Sequence, residues 1–349
     1  MGFSFKAEWS VGIITSPWLE PVWPKSLLAW NPGQWHSVGM DTALSLIQPL
    51  LAGRPRALAR AITWMENGHP QARELMALAW PHLGRATVVG LTGSPGAGKS
   101  TLTDQLARLL RAEGKKVGIL AVDPTSPFSG GAILGDRIRM SRIATDPGVF
   151  IRSMATRGAM GGLARATQDA IDLLDAAGWD VVIVETVGVG QDEVDVVSCV
   201  QTCCVVLVPG MGDEIQAIKA GIMEVADIFI INKADRDGVE KVESEIEGMK
   251  SLSRVKDWDP PALRTVAGAG EGLPELLAKI REHGAWLRAH GGYQEKAQAR
   301  ARLRFGSLLA EEAARRARSR AGAEKVEQLV QAIAEKAMDP YAAVAAMLD

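Results

Sequence analysis

From Ala86 onward the period of apolar and polar positions switches repeatedly. Short apolar runs at Ala86–Leu91, Lys116–Val122, Asp180–Glu185, Cys203–Val208, Ile228–Asn232 and Leu263–Ala267 alternate with stretches of helical period such as Leu102–Ala112. Uninterrupted apolar runs suit strands covered on both faces, and the helical stretches between them supply the crossovers. The alternation therefore predicts an α/β domain, a mostly parallel sheet flanked by helices, over residues 85–285. Upstream, residues 40–84 read as an N-terminal helical segment with helices Ala43–Leu51, Ala57–Glu66 and Gln71–Ala79. Gly53 and Gly68-His69-Pro70 break these helices, and Asp41 or Thr42 caps the first. Strand patterns stop near Glu282, and residues 286–349 predict a C-terminal helical arm. There Val326, Leu329, Val330, Ile333 and Ala337 share one helix face, and Asp339-Pro340 starts a last short helix.

Residues 1–39 have neither period. They hold Trp9, Trp18, Trp23, Trp30 and Trp35, of ten tryptophans in the chain, with Pro17, Pro21, Pro24 and Pro32. The segment lacks the layout of a signal peptide and reads as a dispensable extension, with a Trp-rich docking segment as the alternative.

Composition narrows the choice of partner. A formal net charge of −2 gives no global reason to expect nucleic acid or a membrane surface. The arginines between Arg300 and Arg320 are interspersed with Glu311 and Glu312 and lack aromatic neighbours, which predicts a solvated face or subunit contact. No apolar run is long enough to span a bilayer, and the clustered Cys199, Cys203 and Cys204 form no disulfide framework, so a cytoplasmic location is expected. The five histidines show no metal-ligand spacing.

The most specific chemistry follows the Ala86–Leu91 run. Gly93-Ser94-Pro95-Gly96-Ala97-Gly98-Lys99-Ser100-Thr101 is a G-x-x-x-x-G-K-S phosphate loop between a strand and a helix. Its glycines let successive backbone N–H groups converge on phosphate oxygens, and the helix N-terminus adds its dipole. Lys99, expected to face solvent and phosphate rather than the core, adds a charge, and the Ser100 hydroxyl suits Mg²⁺. Asn232-Lys233-Ala234-Asp235 follows another predicted strand. A carboxylate there pairs with the N1–H and exocyclic amine of guanine, which adenine cannot offer, so the nucleotide is expected to be GTP. The base-side loop is expected at Thr265-Val266-Ala267, with Val266 and Ala267 as contacts.

Asp180–Glu185 ends in an acid three residues before Gly188, the arrangement in which a strand-end carboxylate serves Mg²⁺ and a glycine amide meets the γ-phosphate. Val189 stands where many GTPases place a water-orienting glutamine, which predicts slow unaided hydrolysis. Asp123, at the end of Lys116–Val122, and the glycine-flanked segment Gly130–Met140 are either further magnesium-side and switch elements or ordinary loops; spacing alone leaves both open.

Glu185-Thr186-Val187-Gly188-Val189-Gly190-Gln191, with Gly130–Met140 and Gly212–Gly221, resembles the methylmalonyl-CoA mutase-associated GTPases of the MeaB or ArgK type, from about residue 43 to the C-terminus. The resemblance implies a P-loop GTPase domain with N- and C-terminal helical extensions. It also implies a homodimer formed through the C-terminal helices, and GTP with Mg²⁺ as cofactors. The implied function is that of a chaperone of a cobalamin-dependent acyl-CoA mutase, gating adenosylcobalamin loading. It further implies Asp123, Asp136 and Glu185 as the acids around Mg²⁺, and Gly212–Lys219 as a mobile switch able to bring Lys219 to the γ-phosphate. Competing readings are a metal-delivery GTPase of the urease or hydrogenase maturation type and a kinase of periplasmic amino-acid-binding proteins.

Overall fold

The computed structural model describes residues 42–123, 143–155, 162–186, 198–210, 225–252 and 257–348. Seven parallel strands form one sheet in the order β3-β2-β4-β1-β5-β6-β7. They are β1 (Thr87–Gly93), β2 (Val117–Asp123), β3 (Val149–Ala155), β4 (Val181–Thr186), β5 (Thr202–Leu207), β6 (Ile228–Asn232) and β7 (Ala262–Thr265). Because every pairing is parallel, all carboxyl ends lie at one edge. The connection from β1 to β2 leaves toward one side while β5 lies on the other, so the loop after β1 opens into a crevice where strand order reverses. Open α/β sheets place ligands there.

The periodicity predicted all of these strands except β3. Its pattern is interrupted by Arg152 and Ser153, as befits an edge strand. Arg152 reaches off the sheet to pair with Glu66 and donates to Thr63 Oγ1 at 3.1 Å. That ties the edge to the helix Pro55–Glu66.

Helices α1 (Ala43–Leu51), α2 (Pro55–Glu66) and α3 (Ala72–Ala79) cover one face together with α5 (Gly162–Ala176). Thr42 caps α1 through a reciprocal box with Ser45. Leu50, Leu58, Ile62 and Leu75 are fully buried against the sheet side carrying Leu120, Val182 and Val205. The opposite face is covered by α4 (Lys99–Ala112) and α7 (Leu273–Ala289), which bury Leu102, Leu106, Leu276 and Ile280 against Val89, Leu91, Ile183 and Val206. The β1 residues Val88 and Val89 therefore face different layers, as strand alternation requires. At the end of α5, Asp175 accepts backbone N–H bonds from Gly84, Arg85 and Ala86 at 2.5, 3.0 and 2.9 Å and so sets where β1 begins. Helix α6 (Val239–Leu252) follows β6.

The amino ends of β5 and β6 carry a polar lock that sequence patterning gave no sign of. Asp227, just before β6, accepts from Lys296 Nζ at 2.8 Å and from the Cys203 N–H at 2.8 Å. Lys296 lies on α8 (Gly292–Ala334) and also donates to the Gln201 carbonyl at 2.9 Å. His283 of α7 is buried beside them, its Nδ1 2.9 Å from Thr202 Oγ1 and its Nε2 3.4 Å from Asp227. Burial drives the imidazole pKa down to about 4 despite that carboxylate. Trp258 closes the cluster, donating its indole N–H to the Asp227 carbonyl at 2.8 Å and tilting against His283 and Trp286.

Beyond this lock α8 is mostly exposed, with Ala317 its one buried residue, and its dihedrals break at Gly322. Leu303, Phe305, Leu308 and Leu309 are exposed along it. The apolar face expected to run through Ala337 stops short, because α8 ends at Ala334 and Lys336 has a positive φ of 59°. Asp339 Oδ1 caps α9 (Pro340–Leu348), accepting from the Tyr341 and Ala342 amides at 2.9 and 3.1 Å. Among the described residues no helix is long and apolar enough to cross a membrane.

Candidate nucleotide site

At the carboxyl edge, β1 ends in Gly93 with φ of 136°, and a Cβ there would lie 2.2 Å from the Val206 carbonyl oxygen of β5. Only glycine lets the chain turn so close to its neighbouring strand. The loop Ser94–Gly98 then curls over, with the Ala97 N–H donating to the Ser94 carbonyl at 3.2 Å. Gly98 has φ of 92° and starts α4 with no side-chain cap, so the positive end of that helix points into the loop. Ser94 and Ala97 are buried, Pro95, Gly96 and Thr101 are exposed, and the loop thus presents a rim over a closed base.

Lys99 departs from the expectation that it faces solvent. It is 5% exposed, and its ammonium donates to the Gly93 and Ser94 carbonyls at 2.5 and 2.9 Å. Burying a lone ammonium is costly, so the charge takes its partners from the carbonyls of the loop itself.

Glu185, the last residue but one of β4, is 7% exposed and lies opposite Leu91 in the sheet register. One carboxylate oxygen accepts from Ser100 Oγ at 2.5 Å and the other from Thr103 Oγ1 at 2.9 Å. A hydroxyl that donates to a carboxylate makes a charge-assisted bond. Beside it Thr186 donates to Thr92 at 3.0 Å. The donors gathered here are oxygens of a hydroxyl and a carboxylate, a set that suits a hard divalent cation such as Mg²⁺. The Asp123 backbone ends β2 one position beyond Val122, which pairs with Thr186, so it joins the same edge. Asp136, Gly188 and Lys219 lie outside the described residues.

Across the loop, Asn232 at the end of β6 is 2% exposed and works as a brace. Its amide donates to the Ala97 carbonyl at 2.7 Å, while its oxygen accepts from Thr265 Oγ1 at 3.2 Å and from the Ala267 N–H at 3.1 Å. A Cβ at Gly98 would stand 2.3 Å from that same amide nitrogen. Lys233, with a positive φ of 56°, donates to the Gly96 carbonyl at 2.7 Å. The chain turns so that the Ala234 N–H bonds to the Thr265 carbonyl at 3.1 Å, leaving Asp235 exposed above the edge. Val266 pairs with Glu271 in an isolated bridge, and Ala267 is buried. The phosphate loop, the strand-end acid and both base-side loops thus meet at one edge, joined by direct hydrogen bonds.

Thr103 is the site residue that sequence reasoning missed. It stands three positions after Ser100, hence on the same helix face, and that spacing is the signal that could have found it.

The sequence profile of the family described as "Methylmalonyl Co-A mutase-associated GTPase MeaB" matches residues 58–322. A Pyrococcus abyssi protein named as a candidate GTPase is 49% identical over 302 residues, covering 85% of this chain and 93% of its own. The Escherichia coli GTPase ArgK is 39% identical over 266 residues, with 74% and 80% covered. The mouse mitochondrial "Methylmalonic aciduria type A homolog" is 36% identical over 281 residues, with 75% and 68% covered. Among solved structures, one titled "LAO/AO transport system kinase" superposes with a TM-score of 0.67 at 29% identity, covering 89% of this chain and 98% of that one. Profile, relatives and fold agree with the site geometry: the chain belongs to the MeaB family of methylmalonyl-CoA mutase-associated GTPases.

Proposed function

We propose that this protein is a Mg²⁺-dependent GTPase that acts as a chaperone of a cobalamin-dependent acyl-CoA mutase, gating its loading with adenosylcobalamin. The observation that carries the nucleotide half is the meeting of the Gly93–Thr101 loop with Asn232 and Glu185 at one sheet edge. In this reading the loop amides and Lys99 hold the phosphates, Lys99 exchanging its loop carbonyls for phosphate oxygens. Asp235 reads the guanine edge, and Asn232 keeps the base-side and phosphate loops in register. Ser100 and Glu185, with Asp123 and Asp136, would hold Mg²⁺. When bound, the ion would neutralise charge developing on the transferring phosphate. Gly188 and Lys219 join the γ-phosphate side by resemblance to the family.

The mutase half rests on the family description and on the mouse relative's name. The exposed Leu303, Phe305, Leu308 and Leu309 on α8 support a homodimer through the C-terminal arm, and we place the protein in the cytoplasm. The solved relative's title favours a second reading, a kinase. Asp235 separates the two, because a carboxylate cannot pair with the N1 acceptor of adenine.

The test has two arms. Calorimetry with GTP and ATP should show binding of GTP alone; equal affinities would defeat the GTPase reading. Phosphate release measured with each cobalamin-dependent acyl-CoA mutase of the source cell should rise at least ~10-fold with the cognate one, about 1.4 kcal/mol of barrier. Should none bind or accelerate it, the chaperone role fails while GTP hydrolysis stands.

A further inference from the structure

We infer that Thr103 is a positioning residue for the metal side of the site: it holds the Glu185 carboxylate so that Ser100 is presented to Mg²⁺. The inference rests on the Mg²⁺ and GTP reading above. Glu185 reaches from the end of β4 to two hydroxyls on one face of α4, and each of its oxygens accepts one of them. The two hydroxyls differ in surroundings. Ser100 is half-buried at the mouth of the loop, whereas Thr103 is fully buried, one turn deeper.

A hydroxyl has one proton and two lone pairs. Ser100 gives its proton to Glu185 and keeps lone-pair capacity for a cation. Thr103 has no route to a ligand in the loop, so its proton serves only to fix the carboxylate. With both bonds made, the plane of the Glu185 carboxylate is set by two points on a rigid helix, and the Ser100 rotamer is set in turn. Without the Thr103 donor the carboxylate loses one of its two anchors on α4, and its orientation relative to Ser100 is less tightly set. Ser100 then loses its fixed orientation, although neither Ser100 nor Glu185 has been altered. A group held through neighbouring hydrogen bonds in this way acts on metal affinity, not on the fold of the phosphate loop.

The experiment uses the full chain and a fluorescent probe, mant-GDP, whose release is followed with excess Mg²⁺ and with EDTA. Thr103→Val keeps the shape and removes the hydroxyl; Thr103→Ser keeps the hydroxyl and removes the methyl. Thr103→Val should release the probe about tenfold faster in Mg²⁺, the scale of one lost charge-assisted bond, and need a correspondingly higher Mg²⁺ concentration to retain it. In EDTA it should match the unaltered protein, and Thr103→Ser should behave as unaltered in both. Thr103→Ala repeats the measurement should the valine variant not fold. The inference is overturned if Thr103→Val responds to Mg²⁺ as the unaltered protein does, if Thr103→Ser is equally impaired, or if release is also faster in EDTA. Mg²⁺-insensitive release from the unaltered protein would instead overturn the metal reading beneath it.

Discussion

The two ends of the sheet solve the same problem in opposite ways. Both bury charged groups against strand termini. At the amino end, Asp227 is held by Lys296, the Cys203 amide and a neighbouring neutral His283, which together seat α7 and α8 on β5 and β6. At the carboxyl end, Lys99 rests on the Gly93 and Ser94 carbonyls, and Ser100 rests on Glu185. The first set ties distant chain segments together. The second is local to one loop and its neighbour strand, and its partners are ones a phosphate or a cation can replace. Permanence at one end and exchangeability at the other separate a structural lock from a binding site.

The largest way to probe that difference is Asp235→Asn, which should swing preference from GTP toward xanthine nucleotides by up to ~10⁴-fold. Calorimetry with both nucleotides checks it, and an unchanged preference would remove Asp235 from the site. Lys99→Ala should lower hydrolysis by ~10²-fold or more while leaving circular dichroism unchanged, because the carbonyls it vacates belong to the loop and not to the core. Loss of the folded signal would mean that Lys99 is a lock after all.

Lys296→Met tests the other end. Leaving Asp227 without its ammonium should cost about 1–3 kcal/mol, read as a lower urea midpoint, with GTP affinity unchanged. A changed affinity would show that the lock communicates with the site.

The smallest effect concerns pH. His283 is neutral in the fold with its pKa near 4, whereas an unfolded imidazole titrates near its ordinary 6.5. As pH falls from 6.5 to 4 the unfolded chain binds the extra proton, so stability declines across that window and is fully present above it. Comparing the protein with His283→Gln isolates this group, since other titrations cancel. The variant should lose about 1 kcal/mol less than the unaltered protein between pH 7 and pH 5.5. Parallel profiles would place the His283 pKa near its ordinary value.

Local chemistry wrote much of this protein into its sequence. The apolar runs specify β1, β2 and β4 to β6 because each is buried on both faces, β7 is an edge strand whose run is broken by the exposed Arg264, and Gly93 to Thr101 specifies its turn because close approach to Val206 admits only glycine. Asn232 to Asp235 is legible for the same reason, as a short contiguous motif at a strand end. What the sequence left open depends on residues far apart in the chain. Edge strand β3 is legible only once Glu66 is beside Arg152, and Thr103 acquires meaning only when β4 brings Glu185 to it. The Asp227, His283 and Lys296 lock likewise joins three elements that no local pattern connects. Lys99 shows the limit most clearly: its identity fixes its charge, but only the folded loop, by offering two carbonyls, decided that the charge is buried. Periodicity and motifs report on neighbours along the chain, whereas burial and pairing of polar groups are properties of the packed whole.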